Sequence, residues 1–116
     1  MSRTDLEIAK DAMDHLAVLR AHLARGDLDD QTVADAVSLR LAAAIEAIAQ
    51  GSDALRERLF AGEWNIAWAT RNRIAHSYIY IDHNIIAAPV TDDLPELEAA
   101  LAAEINRPNR YFVPIV

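Results

Sequence analysis

The chain has 116 residues, enough for one domain. Its 53% hydrophobic content rests largely on alanine, with three Gly and few β-branched runs, so composition predicts an all-α protein. It has no cysteine, which excludes disulfides, thiolate metal sites and a cysteine nucleophile; without a membrane-spanning run or a signal-peptide pattern, a soluble, cytoplasmic protein is expected. A formal net charge of −7 excludes broad electrostatic binding of nucleic acid, so any contact with RNA must use a small local cleft.

Thr4-Asp5-Leu6-Glu7 reads as a capping box that opens a first helix, predicted to reach about Arg25 and to stop at Gly26. Its apolar stripe is Leu6, Ala9, Met13, Leu16 and Leu23, with Arg20 intruding as a salt-bridged or snorkelling residue. After the acidic connection from Asp27 to Asp30, Asp29 or Asp30 caps a second helix that runs to Gln50. The second stripe is Val33, Val37, Leu41, Ala44 and Ile48. Gly51-Ser52 breaks the helix, and Ser52 caps a short piece, Asp53–Phe60, that buries Leu55 and Leu59. Two long helices joined by a short loop form an antiparallel hairpin, the first half of a bundle.

A third long helix is expected from about Glu63, carrying Trp64, Ala67, Trp68 and Arg71. Ser77 to Ile81 alternates as a strand does, but a lone strand has no partner here, so helix or turn is the expectation. Asp82 is the predicted cap of a short helix ending before Pro89. Thr91 or Asp92 is the predicted cap of a last helix, about Leu94 to Ile105, with Leu94, Leu97, Leu101 and Ile105 on one face. The organisation that follows is a helical domain over residues 1–105 and an extended tail over 106–116, whose apolar residues would lie against the body or a second copy.

The chemistry concentrates in Arg71-Asn72-Arg73-Ile74-Ala75-His76-Ser77-Tyr78. An arginine that can clamp a phosphate, beside a histidine that can move a proton, is the minimum kit for metal-free phosphoryl chemistry. On an ideal helix Arg71 and His76 diverge by roughly 140°. Three arrangements remain open: a distorted helix, an arginine that curls round, or two copies of the chain that each contribute to one cleft. Such a cleft suits RNA scission, in which a neutral imidazole deprotonates a 2′-hydroxyl, a protonated group assists the leaving 5′-oxygen, and arginine stabilises the phosphorane. Blander readings exist for each residue. His76 can be a surface histidine, and Arg71 can pair with Glu63 or with Glu46 of the neighbouring helix. Trp64 and Trp68 read as core, and His15 and His22 as a solvated face with no third metal ligand.

The segment from Glu63 to Tyr78, with a Trp, then Arg-Asn, three residues, His, one residue and Tyr, resembles the HepT-like toxin branch of the HEPN superfamily. Similar phrases occur at Ile81 to Ile86, at Leu94 to Leu97 and at Ala44 to Ile48, so the resemblance covers about residues 5–105. It implies a homodimeric, all-α bundle of four to five helices in which the two Arg-(four residues)-His motifs face a shared cleft. It further implies a metal-independent endoribonuclease, the toxin of a toxin–antitoxin pair, that needs no cofactor. The implied partner is a minimal nucleotidyltransferase antitoxin that modifies the motif tyrosine. Carried over by position, Arg71 and His76 are catalytic, Asn72 is supportive and Tyr78 is the modification target. Arg73 departs from the pattern, standing where many relatives carry an apolar residue, and adds positive charge beside the cleft or points to solvent. Two other readings remain. One is a non-catalytic nucleotide- or partner-binding subunit of a nucleotidyltransferase complex; the other is a plain structural helical dimer.

Overall fold

The computed structural model describes residues 3–77 and 82–107. Among them are six α-helices and no strand: α1 (Asp5–Leu23), α2 (Gln31–Ala49), α3 (Asp53–Phe60), α4 (Trp64–Ala75), α5 (His83–Ala88) and α6 (Leu94–Asn106). The caps act through their side-chain oxygens. Thr4 accepts from the Glu7 N–H at 3.1 Å, Asp30 from Thr32 at 2.9 Å, Ser52 from Leu55 at 3.0 Å and Asp82 from Asn84 at 2.9 Å.

α1 and α2 form the expected hairpin, and the α2 stripe is buried as predicted. The α1 stripe needs correction. Ile8, Ala9, Ala12, Leu16 and Leu19 are buried, whereas Leu6, Met13 and Leu23 sit at the core's edge. The reason is that α1 packs on α2 and also on α6, which widens its buried face and turns it toward Ile8, Ala12 and Leu19. Arg20 is indeed salt-bridged: Nε and Nη2 meet Glu98 of α6 at 3.1 and 2.5 Å. α1 ends at Leu23, two residues before the expected Arg25.

Gly51 sits at a close approach: a Cβ there would stand 2.7 Å from Leu55 Cδ2 and 3.2 Å from the Ile48 carbonyl oxygen, so the Leu55 side chain would have to shift to admit one. The turn from α3 into α4 uses two left-handed residues, Ala61 (φ 50°) and Gly62 (φ 88°). The largest departure lies between α5 and α6. α5 ends at Ala88, before Pro89, as expected, but the chain does not leave the helical path there. It passes through a π-helical turn, Pro89–Asp93, in which the Leu94 N–H bonds to the Pro89 carbonyl five residues back. Proline's missing N–H loosens the α-helical ladder there while the helical path continues. Thr91 and Asp92 are therefore inside this turn, not caps, while α6 begins at Leu94 as expected and runs to Asn106, one residue past the expected Ile105. The tail beyond residue 107, including most of the predicted extended segment, lies outside the described residues.

Candidate active site

α4 leans on α2 through its buried Ile74, and its half-buried Trp64 and Trp68 pack against the core. The two indoles are stacked, with centroids 5.8 Å apart and planes 29° from parallel. A cation stands at each end of the stack: the Arg56 guanidinium is 5.6 Å from the Trp64 ring and that of Arg71 is 4.9 Å from Trp68. Both distances are within cation–π range. The tryptophans, read as core, also build the wall on which Arg71 rests.

Arg71 is held from three directions. Its Nε and Nη2 meet Glu46 Oε1 at 2.7 and 2.6 Å, Nη1 donates to Asn72 Oδ1 at 3.1 Å, and the guanidinium lies over Trp68. Arginine carries only donors, so the Asn72 atom facing it is the amide oxygen. The Arg71 side chain stays 28% exposed, enough for a ligand to reach the remaining N–H groups.

His76 is treated differently. α4 stops at Ala75, and His76 is the residue after it, at φ −93° and ψ 10°, off the helical geometry. Its backbone N–H still bonds to the Asn72 carbonyl at 3.0 Å, while its imidazole is exposed with no hydrogen bond to a described residue. The departure from helical geometry begins only at His76, whose N–H still takes the last bond of α4, so the divergence of roughly 140° on an ideal helix is relaxed there but not removed. Among the described residues no hydrogen bond joins Arg71 to His76. Asn72 is the link, with its side chain on Arg71 and its carbonyl on His76. Arg73 is exposed, without an ion-pair partner among the described residues, and its carbonyl accepts from Ser77 Oγ at 3.1 Å. Tyr78 lies outside the described residues.

Two features of the site were weighed in the sequence only in their plain roles. Glu46 was a candidate ion-pair partner and is the residue that fixes Arg71; Trp68, at three residues before Arg71, is the spacing that stacks on it. His15 is not simply solvated. It is half-buried, and its Nδ1 accepts from Arg40 Nη1 at 3.2 Å, which requires an unprotonated Nδ1. No three His, Asp or Glu side chains gather as metal ligands among the described residues. No described helix is long and apolar enough to cross a membrane.

Comparison with protein families matches residues 6–104 to the HepT-like family, described as "Ribonuclease HepT-like". No curated protein and no solved structure matches the chain. The matched span takes in every described helix except the first residue of α1 and the last two of α6. The chain belongs to the HepT-like family of HEPN-type helical bundles.

Proposed function

We propose that this HepT-like protein is a metal-independent endoribonuclease toxin, with Arg71 and His76 as its catalytic residues. The observation that carries the reading is the contrast around Asn72: a guanidinium fixed by three neighbours, one turn from an imidazole left free. A fixed guanidinium suits a phosphorane, whose charge appears at a set position. A free imidazole suits proton transfer, which needs access to the substrate hydroxyl.

In this mechanism neutral His76 removes the 2′-hydroxyl proton and the resulting oxygen attacks the adjacent phosphorus. Arg71 stabilises the phosphorane, and the 5′-oxygen leaves with a proton from an acid. One histidine cannot be acid and base at the same instant, which motivates a homodimer with two copies of His76 in one cleft. The outward face of α4 supports self-association. It presents Asn65, Ala69, Asn72 and His76 at spacings of four and three, a small and polar stripe that another helix can approach closely. On the neighbouring helix α2, Leu39 is 66% exposed. Arg73 and Asn72 are supporting residues that add charge and hydrogen bonding for the RNA.

The partner is a minimal nucleotidyltransferase antitoxin, and Tyr78 is the residue it modifies. Nucleotide units on that phenol would place negative charge two residues from His76 and compete with RNA for Arg71. A specific observation favours one other reading. The Arg71–Glu46 pair is also what a structural ion pair looks like, as in a non-catalytic subunit of a nucleotidyltransferase complex.

The deciding experiment is RNA cleavage by purified protein with and without EDTA, alongside His76→Gln. EDTA-resistant cleavage lost in His76→Gln supports the nuclease. Cleavage equal in both proteins, or abolished by EDTA, sinks it. For the partner, intact-mass spectrometry after incubation with the nucleotidyltransferase and ATP should show a mass gain that Tyr78→Phe lacks.

A further inference from the structure

α4 packs on α2, and α6 packs on α1 and α3. Between α4 and α6 an apolar groove of about 130 Å³ remains, floored by Leu41 and Ile45 of α2 and walled by Leu59, Phe60 and Leu97. Ile66 forms its lip and is 58% exposed. Three carboxylates, Glu63, Asp93 and Glu96, stand on the rim. All three are exposed, and none has an ion-pair partner among the described residues.

The size and charge specify an occupant. An apolar cavity of about 150 Å³ takes a benzene ring, so this groove accepts one aromatic side chain. The acidic rim asks for a cation close to that ring. In an extended segment, side chains two residues apart face the same way and lie roughly 6–7 Å from each other. The sequence beyond Arg107 contains that pair: Arg110 and Phe112, followed by Val113, Ile115 and Val116. Arg110 is the only charged side chain among the nine residues from 108 to 116.

The topology brings the same chain to the groove. Arg58 Nε holds Glu104 Oε1 at 2.5 Å, which sets the end of α6 beside α3. The next two residues of α3 after Arg58 are Leu59 and Phe60, the groove's wall. Leu97 lies ten residues before Arg107, about 15 Å along a helix. Nine extended residues span up to roughly 30 Å. α6 ends at Asn106, two residues before a proline in the sequence, a residue type that cannot continue a helix's hydrogen-bond ladder.

We propose that the groove between α4 and α6 is the docking site for the chain's own residues 108–116, with Phe112 in the apolar pocket and Arg110 on the Glu63, Asp93 and Glu96 rim. The contact braces the buried side of α4 from outside the helical bundle. It is independent of the ribonuclease reading, and neither stands on the other.

The test uses the full chain and a fluorescein-labelled peptide of residues 108–116, followed by anisotropy. In the wild type the attached tail competes at an effective concentration near the millimolar range, so the peptide binds weakly. Phe112→Ala in the full chain vacates the pocket, and the peptide should bind it at least tenfold more tightly. Adding Ile66→Asp to that variant, a change at an exposed lip, should return binding to the wild-type level or below. Equal binding to wild type and Phe112→Ala, no binding to either, or indifference to Ile66→Asp overturns the proposal. Wild-type affinity for the peptide that rises as the protein is diluted also overturns it, because the competing tail would then come from a second copy.

Discussion

Arg71 and His76 are five residues apart, and the molecule treats them in opposite ways. Arg71 lies within α4, bound to Glu46, Asn72 and Trp68. His76 lies just beyond its last turn, exposed, hydrogen-bonded through its backbone N–H and, among the described residues, through nothing else. A charge stabiliser gains from being immobile, because its field must be in place before the transition state forms. A proton carrier gains from being reachable. Helix interior and helix end supply these two conditions within one short motif.

The sharpest way to break this comparison is to delete each residue and measure rate and melting separately. His76→Ala should lower RNA cleavage on the order of a hundredfold or more. Its melting temperature should stay within experimental error, because the ring is exposed and makes no hydrogen bond or ion pair with a described residue. Arg71→Ala should lower the rate on a similar scale. It should also lower the melting temperature, by releasing Glu46 and uncovering Trp68. Equal melting of the two variants would mean that the Arg71 network carries no stability and that the contrast is only geometric.

Glu46 sharpens the arginine half. If it positions Arg71, Glu46→Gln should keep the hydrogen bond but lose the charge, lowering kcat about tenfold with KM little changed. A half-exposed ion pair is worth about 0–1 kcal/mol, so stability should barely move. An unchanged kcat with unchanged KM would mark the pair as structural and favour the non-catalytic reading. Trp68→Leu tests the same support from the aromatic side. Removing the cation–π contact and the indole stack should cost about 1–2 kcal/mol and lower the melting temperature by several degrees, measured by circular dichroism.

The two halves of the comparison were not equally legible in the sequence. Caps at Thr4, Asp30, Ser52 and Asp82 could be read because the rule is local: a side-chain oxygen reaches an N–H two or three residues on. The α2 stripe could be read because one side of that helix faces the core. The α1 stripe could not be read as easily, since its two neighbours, α2 and α6, are separated from each other in sequence. The π turn at Pro89 was also hidden, because a proline marks a broken ladder without saying whether the chain turns away or continues. At the site, the motif residues were visible as a string. That Glu46 fixes Arg71 while no described residue hydrogen-bonds to the His76 ring depends on how α2 and α4 lie together, which no local spacing encodes.

The smallest expected effect lies far from α4 and serves as a control for it. Asp5, in the first turn of α1, accepts from Ser52 Oγ at 2.6 Å and from the Ser52 N–H at 3.0 Å, tying the start of α1 to the start of α3. The Ser52 hydroxyl bond, foremost, holds the Asp5 carboxyl below the usual carboxylate value. Burial opposes this, while the Ser52 N–H and the nearby Arg58 and Arg56 charges add to the lowering. The sign follows from linkage. A carboxyl whose pKa is depressed in the folded state favours folding at pH values above its unfolded pKa. That contribution fades as the pH falls from there through the folded value. The wild type should therefore lose part of its stability on acidification through and below the ordinary carboxylate range. Asp5→Asn should be less stable at neutral pH but show a flatter decline in acid. Because Asp5 is partly exposed, the difference should be small, best seen by comparing urea midpoints at several pH values. At neutral pH, Asp5→Asn should cleave RNA at the wild-type rate. A loss of activity there would mean that changes at the α1–α3 joint reach Arg71 and His76 through the fold, and the contrast drawn within α4 would no longer be local.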